Sequence, residues 1–339
     1  MKPAFTISSF TTYPIRNLIR WAVIAEKNGF DCFTLTDWSP TTPNDAFIVL
    51  SSIATVTERI KFGVTICNPY SRHPAMIARM LKTLYVLSNG RVILGIGAGG
   101  APALLPLGFK MWEMPIATVR DAILTIRDLL KGETVNIDSY KFRVVNLKFE
   151  DEPKPINVPI YIGARRPQML RLCGKIADGV ILGSCPPEII EWSKRHIQKG
   201  LKKAGRDFSE FEIADWMATS ISEDSDKARK LIRQRVAMAI YQHPIEALRD
   251  TQKDLDLMME IRRKIDEKKI DEAVEMVTDE MIDSFSLAGT PEEIIEKAKR
   301  IMSSGVTHIL FGTPLGEDVE KSIHMLGKHV IPALRQEIS

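Results

Sequence analysis

Two kinds of hydrophobic pattern alternate along this chain. Short, nearly continuous apolar runs are typical of strands buried on both faces, and longer runs with apolar residues three or four apart are typical of amphipathic helices. The short runs predict eight strands, at residues 4–8, 32–36, 60–67, 91–97, 159–163, 178–183, 212–220 and 308–311. The longer runs predict helices at 15–28, 45–57, 74–87, 116–131, 168–176, 187–204, 224–240, 291–304 and 317–336.

Eight strands separated by helices favour parallel pairing and a closed α/β structure, the (β/α)8 TIM barrel. An open, doubly wound sheet is the alternative. The irregular stretch 132–158 predicts a short hairpin, and the charged stretch at about 244–285 predicts a helical insertion. We expect the 339 residues to form one barrel domain that carries these additions.

Composition excludes several classes of function. The formal net charge is +3, which indicates neither a nucleic-acid partner nor a membrane partner. The first residues lack the apolar run of a secretory signal, and no run is long enough to cross a membrane. The four cysteines stand far apart and the six histidines lack ligand spacing, so we expect free thiols, no metal site and a soluble cytoplasmic protein.

The active site of such a barrel forms from the loops that follow its strands. Several of these loops are rich in small residues, which let backbone N–H groups approach an anion, and one adds two arginines before a helix. The candidate ligand-binding residues in these loops are Gly99, Gly163, Ala164, Arg165, Gly183 and Ser184. A purely structural role, with turn glycines and solvated arginines, is the alternative.

Two residues after the second strand are candidates for chemistry. Asp37 is either a general acid or base or a loop-bonding carboxylate, and Trp38 either stacks on a planar ring or belongs to the core. The run Gly95–Gly100 is not followed by an acidic residue at a strand end about 20 residues on, so it does not indicate a dinucleotide-binding fingerprint, and no GxSxG nucleophile motif exists.

At these loops the sequence resembles the luciferase-like group of flavin and deazaflavin oxidoreductases, and within it most closely the coenzyme F420-dependent 5,10-methylenetetrahydromethanopterin reductases of archaeal one-carbon metabolism. The matching runs include AEKNGFDCFTLTD (25–37), NPYSRHPAMIA (68–78), LSNGRVILGIGAG (87–99) and PIYIGARRPQMLRLCGKIADGVIL (159–182). The similarity extends from about residue 4 to residue 335.

The resemblance implies a cofactor bound at the strand ends. It implies a non-prolyl cis peptide at Thr65–Ile66 behind the cofactor ring, and Asn68 near the ring or its ribityl chain. It also implies a homodimer or homotetramer and a small-molecule substrate. The reductases carry acidic residues where this chain has Ser8 and Gly100, so the cofactor site is kept while the substrate side differs.

Three functions therefore stay open. The first is hydride transfer between F420 and an organic acceptor such as a methylene-tetrahydropterin, with Asp37 near the ring, Trp38 as a stacking wall and Ser8 as a hydrogen-bond donor to substrate. The second is an FMN-dependent monooxygenase. The third is a non-catalytic barrel that binds a flavin.

Overall fold

The computed structural model describes residues 2–37, 39–110, 113–150, 155–251 and 253–336. Its strands are β1 (Ala4–Phe10), β2 (Cys32–Thr36), β3 (Lys61–Cys67), β4 (Val92–Ile96), β5 (Val135–Asp138), β6 (Arg143–Leu147), β7 (Ile160–Gly163), β8 (Gly179–Gly183), β9 (Glu212–Ile221), β10 (Ser286–Gly289) and β11 (His308–Leu315). Its α-helices are α1 (Ile15–Lys27), α2 (Ala46–Val56), α3 (Pro74–Leu87), α4 (Ala101–Leu104), α5 (Pro115–Lys131), α6 (Pro167–Ile176), α7 (Pro187–Ala204), α8 (Ser225–Gln242), α9 (Ile245–Arg249), α10 (Leu255–Asp266), α11 (Ile270–Glu275), α12 (Asp279–Phe285), α13 (Pro291–Ser303), α14 (Val319–Met325) and α15 (Ile331–Gln336).

Eight parallel strands close into a barrel. The order of hydrogen-bonded neighbours is β9, β11, β1, β2, β3, β4, β7 and β8, and β8 pairs back to β9. Helices lie between consecutive strands and cover the outside. The predicted (β/α)8 barrel is confirmed, and the open sheet is excluded because the last pairing leaves no free edge.

Additions to the barrel follow the predicted places with one exception. The antiparallel pair β5–β6 is the hairpin expected within 132–158. Helices α9 to α12 occupy the charged stretch 244–285. β10 was not predicted from the sequence, and it pairs in parallel with the C-terminal part of β9 from Ala218 to Ile221. The sequence of β10, SLAG, is too short, and most of its side chains are too small, to give the hydrophobic pattern of a strand.

A polar layer, which we call the floor layer, lies at the N-terminal end of the barrel interior: Thr6, Tyr161, Glu212 and His308. His308 Nε2 lies 2.6 Å from Thr6 Oγ1, and His308 Nδ1 lies 2.5 Å from Glu212 Oε1. The Tyr161 hydroxyl donates to Glu212 Oε2 over 2.9 Å. Burial would raise the pKa of Glu212, but the hydrogen bonds from His308 and Tyr161 outweigh it and hold the pKa below its usual value.

The four cysteines are unpaired and buried, as predicted. Burial raises the pKa of Cys32 to about 12, so this thiol stays protonated and unreactive near neutral pH. Among the helices that the structure describes, none is long and apolar enough to cross a bilayer.

Candidate active site

Glycines line the barrel interior at the C-terminal ends of four strands, and we call this end the mouth. Gly97 follows β4, Gly163 and Gly183 end β7 and β8, and Gly312 lies in β11. A Cβ atom on any of them would collide with a side chain of the mouth. The side chains concerned are Ile66 for Gly97 and Gly163, Arg165 for Gly183, and Trp216 for Gly312.

Ile66 crosses the barrel interior beneath the mouth. The Thr65–Ile66 peptide is cis, as the resemblance implied, and the β3–β4 register shifts between Val64 and Cys67. Cβ atoms on Gly97 and Gly163 would lie 2.5 and 2.7 Å from Ile66 Cδ1. Ile66 therefore forms an apolar platform that glycine backbones enclose.

A hydroxyl cluster lies below that platform. Thr65 Oγ1 donates to Thr34 Oγ1 over 2.8 Å and lies 3.1 Å from Ser8 Oγ. Ser8 is fully buried. Its hydroxyl thus supports the strand segment that carries the platform, and its role as a donor to substrate stays a prediction.

Asp37 is held by an arginine from the next βα loop. Arg72 Nε and Nη2 donate to the two Asp37 oxygens over 2.6 and 3.0 Å, and Nη2 also donates to Asp45 Oδ2 over 2.6 Å. This two-point contact gives Asp37 a structural partner. The proposed proton-transfer role of Asp37 stays a prediction, and Trp38 lies outside the described residues.

Asn68 and Gly99 lie together on the β3–β4 side of the mouth. Asn68 is buried, and its Oδ1 accepts from the N–H groups of Tyr70 and Ser71 over 3.1 and 2.9 Å. A Cβ atom on Gly99, whose φ is +70°, would lie 3.4 Å from the Asn68 side chain. Asn68 therefore shapes its own loop with its oxygen, and its predicted contact with a cofactor stays a prediction.

Two backbone donors of the predicted phosphate loops are already used. Ala164 N–H donates to Ile181 O over 3.1 Å, and Ser184 N–H donates to Trp216 O over 2.7 Å. Ser184 Oγ accepts from Ala218 N–H over 3.1 Å. These contacts anchor the loops to β8 and β9, so they leave these N–H groups unavailable to an anion.

Arg165 is the remaining strong donor at this place. Its guanidinium lies against Gly183, and its buried Nε has no hydrogen-bond partner within the described residues. Arg166, the next residue, is exposed at the start of α6. The predicted grip on a phosphate therefore depends on the Arg165 side chain more than on the glycine-rich backbone.

Trp216 and its neighbours were not predicted as site residues. Trp216 points into the barrel with Ala214, its ring packs edge-on against Phe10 at 5.9 Å, and Arg235 from α8 covers the Phe10 ring at 4.6 Å. Alternation along β9 would have placed Trp216 inside. The sequence of β9 alone does not show that the neighbouring strand β11 places Gly312 against the Trp216 ring.

Three buried hydrogen-bonding groups near the mouth lack partners within the residues that the structure describes. Thr36 Oγ1, Trp216 Nε1 and Arg165 Nε are buried and have no partner in the part of the chain that the structure describes. Buried donors without partners are rare in native proteins, which indicates that a ligand completes them. No cluster of three or more metal-ligating side chains occurs among the described residues.

Comparison with known proteins agrees with this geometry. Residues 4–308 match the family described as luciferase-like monooxygenase. The chain is 36% identical to 5,10-methylenetetrahydromethanopterin reductase from Archaeoglobus fulgidus, covering 92% of this chain and 94% of that protein. It is 34% identical to the enzyme of the same name from Methanolobus tindarius, covering 96% and 99%.

A solved structure gives the same result. The coenzyme F420-dependent tetrahydromethanopterin reductase from Methanopyrus kandleri superimposes with a TM-score of 0.86 at 28% identity. The match covers 98% of this chain and all of the other. The similarity thus extends over the barrel and its additions alike.

Proposed function

Because this chain belongs to the luciferase-like monooxygenase family, we propose that it is an oxidoreductase that transfers a hydride between coenzyme F420 and an organic acceptor. The observation that carries this proposal is the mouth itself. Glycines enclose the Ile66 platform, and unpartnered donors on Thr36, Trp216 and Arg165 surround it. Relatives that share at least a third of their residues with this chain over nearly its whole length are named as reductases of this kind.

The protein's part in the reaction is to position the cofactor and the acceptor and to exclude water from them. Coenzyme F420, a 5-deazaflavin, supplies the hydride chemistry when it is bound. Ile66 would support the ring from below, and Trp216 and Phe10 form an aromatic wall beside it. Arg165 would hold an anionic tail through charged hydrogen bonds.

The acceptor that we propose is a one-carbon derivative of a tetrahydropterin. The names of the relatives from A. fulgidus and M. tindarius include methylenetetrahydromethanopterin. Ser8 and Gly100 stand where the resemblance expects acids, so any proton that the acceptor needs must come from another group. Asp37, which follows β2, is the candidate that the sequence analysis named, although Arg72 holds it.

FMN-dependent oxygen chemistry is the second candidate, since the matched family is described as monooxygenases. The absorbance of protein purified with its cofactor distinguishes the two. F420 absorbs at roughly 420 nm, and FMN at roughly 370 and 450 nm. An F420 spectrum supports our proposal, whereas an FMN spectrum contradicts it.

Turnover tests the reaction itself. Reduced F420 is mixed anaerobically with the protein and with methylenetetrahydromethanopterin, and the return of absorbance near 420 nm is followed over roughly a minute. We expect the absorbance to return only when protein and acceptor are both present. If reduced F420 binds but is not oxidised by this acceptor or by simple ketones, aldehydes and imines, the chain is a binding protein and the reductase proposal fails.

We also propose, from the family resemblance, that the chain works in the cytoplasm as a homodimer or homotetramer. Light scattering coupled to size-exclusion chromatography measures the mass directly. A mass that stays at the 38.2 kDa of one chain over a wide concentration range would contradict the assembly.

A further inference from the structure

The loop between β8 and α7 rests on a buried carboxylate. Cys185 N–H donates to Asp215 Oδ2 over 3.1 Å, and Asp215 is fully buried. His243 Nε2 lies 3.1 Å from Ser184 O on the same loop. Two side chains that are distant in sequence thus fix the backbone of residues 184 and 185.

Among the described residues, Asp215 has an oxygen without a hydrogen-bond partner, and Arg165, which carries the opposite charge, has a donor without one. Asp215 Oδ1 and Arg165 Nε each lack a hydrogen-bond partner in the described part of the chain. The two side chains attract each other electrostatically. Arg165 reaches Gly183 at the start of the loop that Asp215 holds.

We propose that Asp215 is a positioning residue for the anionic tail of the cofactor, holding the β8–α7 loop through Cys185 and setting how much of the Arg165 charge the tail receives. This inference rests on the proposed function. A neutral Asp215 leaves the whole Arg165 charge to the tail, whereas an ionised Asp215 neutralises part of it and repels the tail.

The surroundings of Asp215 let it change charge near neutral pH. Burial raises the pKa of Asp215 to about 7, although Arg165 and the N–H groups of Cys185 and Ser184 act to lower it. Three side chains face this site: Arg165 from the β7–α6 loop, the Cys185 thiol and, behind Ser184, His243, which Arg262 from α10 adjoins.

Cys185 and His243 are neutral under these conditions. Burial raises the pKa of the Cys185 thiol well above its usual value. Burial also lowers the pKa of His243 to about 3, assisted by the positive charge of Arg165. Arg165 is therefore the charged member of the three, and Asp215 is the member that titrates.

The sign of the effect follows from linkage. A bound anion near Arg165 raises the pKa of Asp215 further, because a second negative charge disfavours the carboxylate. The complex then binds more protons than the free protein, so affinity falls as pH rises through about 7. One coupled proton limits the change to about tenfold per pH unit.

The test is a titration of the protein with oxidised F420 between about pH 6 and 8.5, in the wild type and in Asp215→Asn. Asparagine keeps the oxygen that accepts from Cys185 and stays neutral. We expect the wild-type Kd to rise about 3- to 10-fold more than that of Asp215→Asn over this range. Ionisation of F420 itself affects both proteins equally, so it cancels from the ratio of their Kd values.

Equal pH dependence in the two proteins, with tight binding in both, overturns this inference and leaves the proposed function intact. Absence of F420 binding in the wild type overturns both. If Asp215→Asn does not fold, Arg165→Gln gives a second test, because it leaves Asp215 in place. We expect weaker binding and an extra pH dependence that moves to higher pH, because Arg165 no longer lowers the pKa of Asp215. A pH dependence identical to that of the wild type would again contradict the inference.

Discussion

The Cδ1 atom of Ile66 lies 2.5 Å from the position that a Cβ atom on Gly97 would take. The two residues belong to β3 and to the loop after β4, and together they define the height of the platform beneath the mouth. The absence of a side chain at Gly97 is what allows Ile66 to lie across the barrel.

Gly97→Ala should therefore displace the platform. Overpacking of this kind costs about 1–3 kcal/mol, so we expect a loss of stability of that size and weaker F420 binding. Ile66→Val removes the Cδ1 atom, so the double variant should recover part of both losses. Urea unfolding and F420 titration of the four proteins measure the coupling, and strictly additive effects would show that the two side chains do not compete.

Arg165→Ala should weaken F420 binding by about 1–3 kcal/mol, or about 5- to 150-fold, because it removes a charged hydrogen-bond donor. The matched control is Lys175→Ala, which removes the same charge from an exposed position on α6. Isothermal titration calorimetry gives the two dissociation constants. Equal constants for Arg165→Ala and wild type would show that this guanidinium does not hold the cofactor.

The double contact with Arg72 predicts a structural role for Asp37. Asp37→Asn should reduce stability by about 1–3 kcal/mol, since it leaves a largely buried guanidinium short of a partner, and should lower kcat less than tenfold. Asp45→Asn is the control, because it shares Arg72 and asparagine still caps α2. A fall of a hundredfold or more in kcat for Asp37→Asn alone would instead assign this carboxylate to proton transfer.

The floor layer should make stability depend on acid pH. The pKa of Glu212 is lower in the folded than in the unfolded protein, so its contribution is complete above the unfolded value of about 4.5 and is lost as pH falls through the folded value. Glu212→Gln should cost about 1–3 kcal/mol at pH 7 and progressively less at acid pH.

Urea unfolding of Glu212→Gln and wild type between about pH 7 and 3 measures that difference. Glu210→Gln serves as the control, because Glu210 is exposed two residues before Glu212. A constant difference between Glu212→Gln and wild type at all pH values would mean that the carboxylate titrates normally in the fold.

The sequence predicts the barrel because its strands are buried on both faces, and each such strand is a nearly continuous apolar run. RVILGIG at 91–97 is an example that no helix pattern rivals. β10 has no such run, since its four residues form a strand only by pairing with the adjacent end of β9. Local pattern therefore gives the eight barrel strands but not the strand that depends on a neighbour.

The site was only partly predictable for a related reason. The loops after the strands were identifiable, yet the partner of Asp37 is 35 residues away in an irregular loop, and spacing gives no sign of it. Asp215 lies in the predicted strand 212–220, and the sequence gives no sign that Arg165 and His243 from two other elements form its surroundings. Such pairings are set by tertiary packing.

Hydrogen bonds among Thr6, Tyr161, Glu212 and His308 lie across the N-terminal end of the barrel interior. A cofactor and an acceptor that both bind at the opposite end would share one entrance. If the cofactor ring lies on Ile66 and the acceptor binds over it, the cofactor binds first and leaves last, and substrate binding would be ordered.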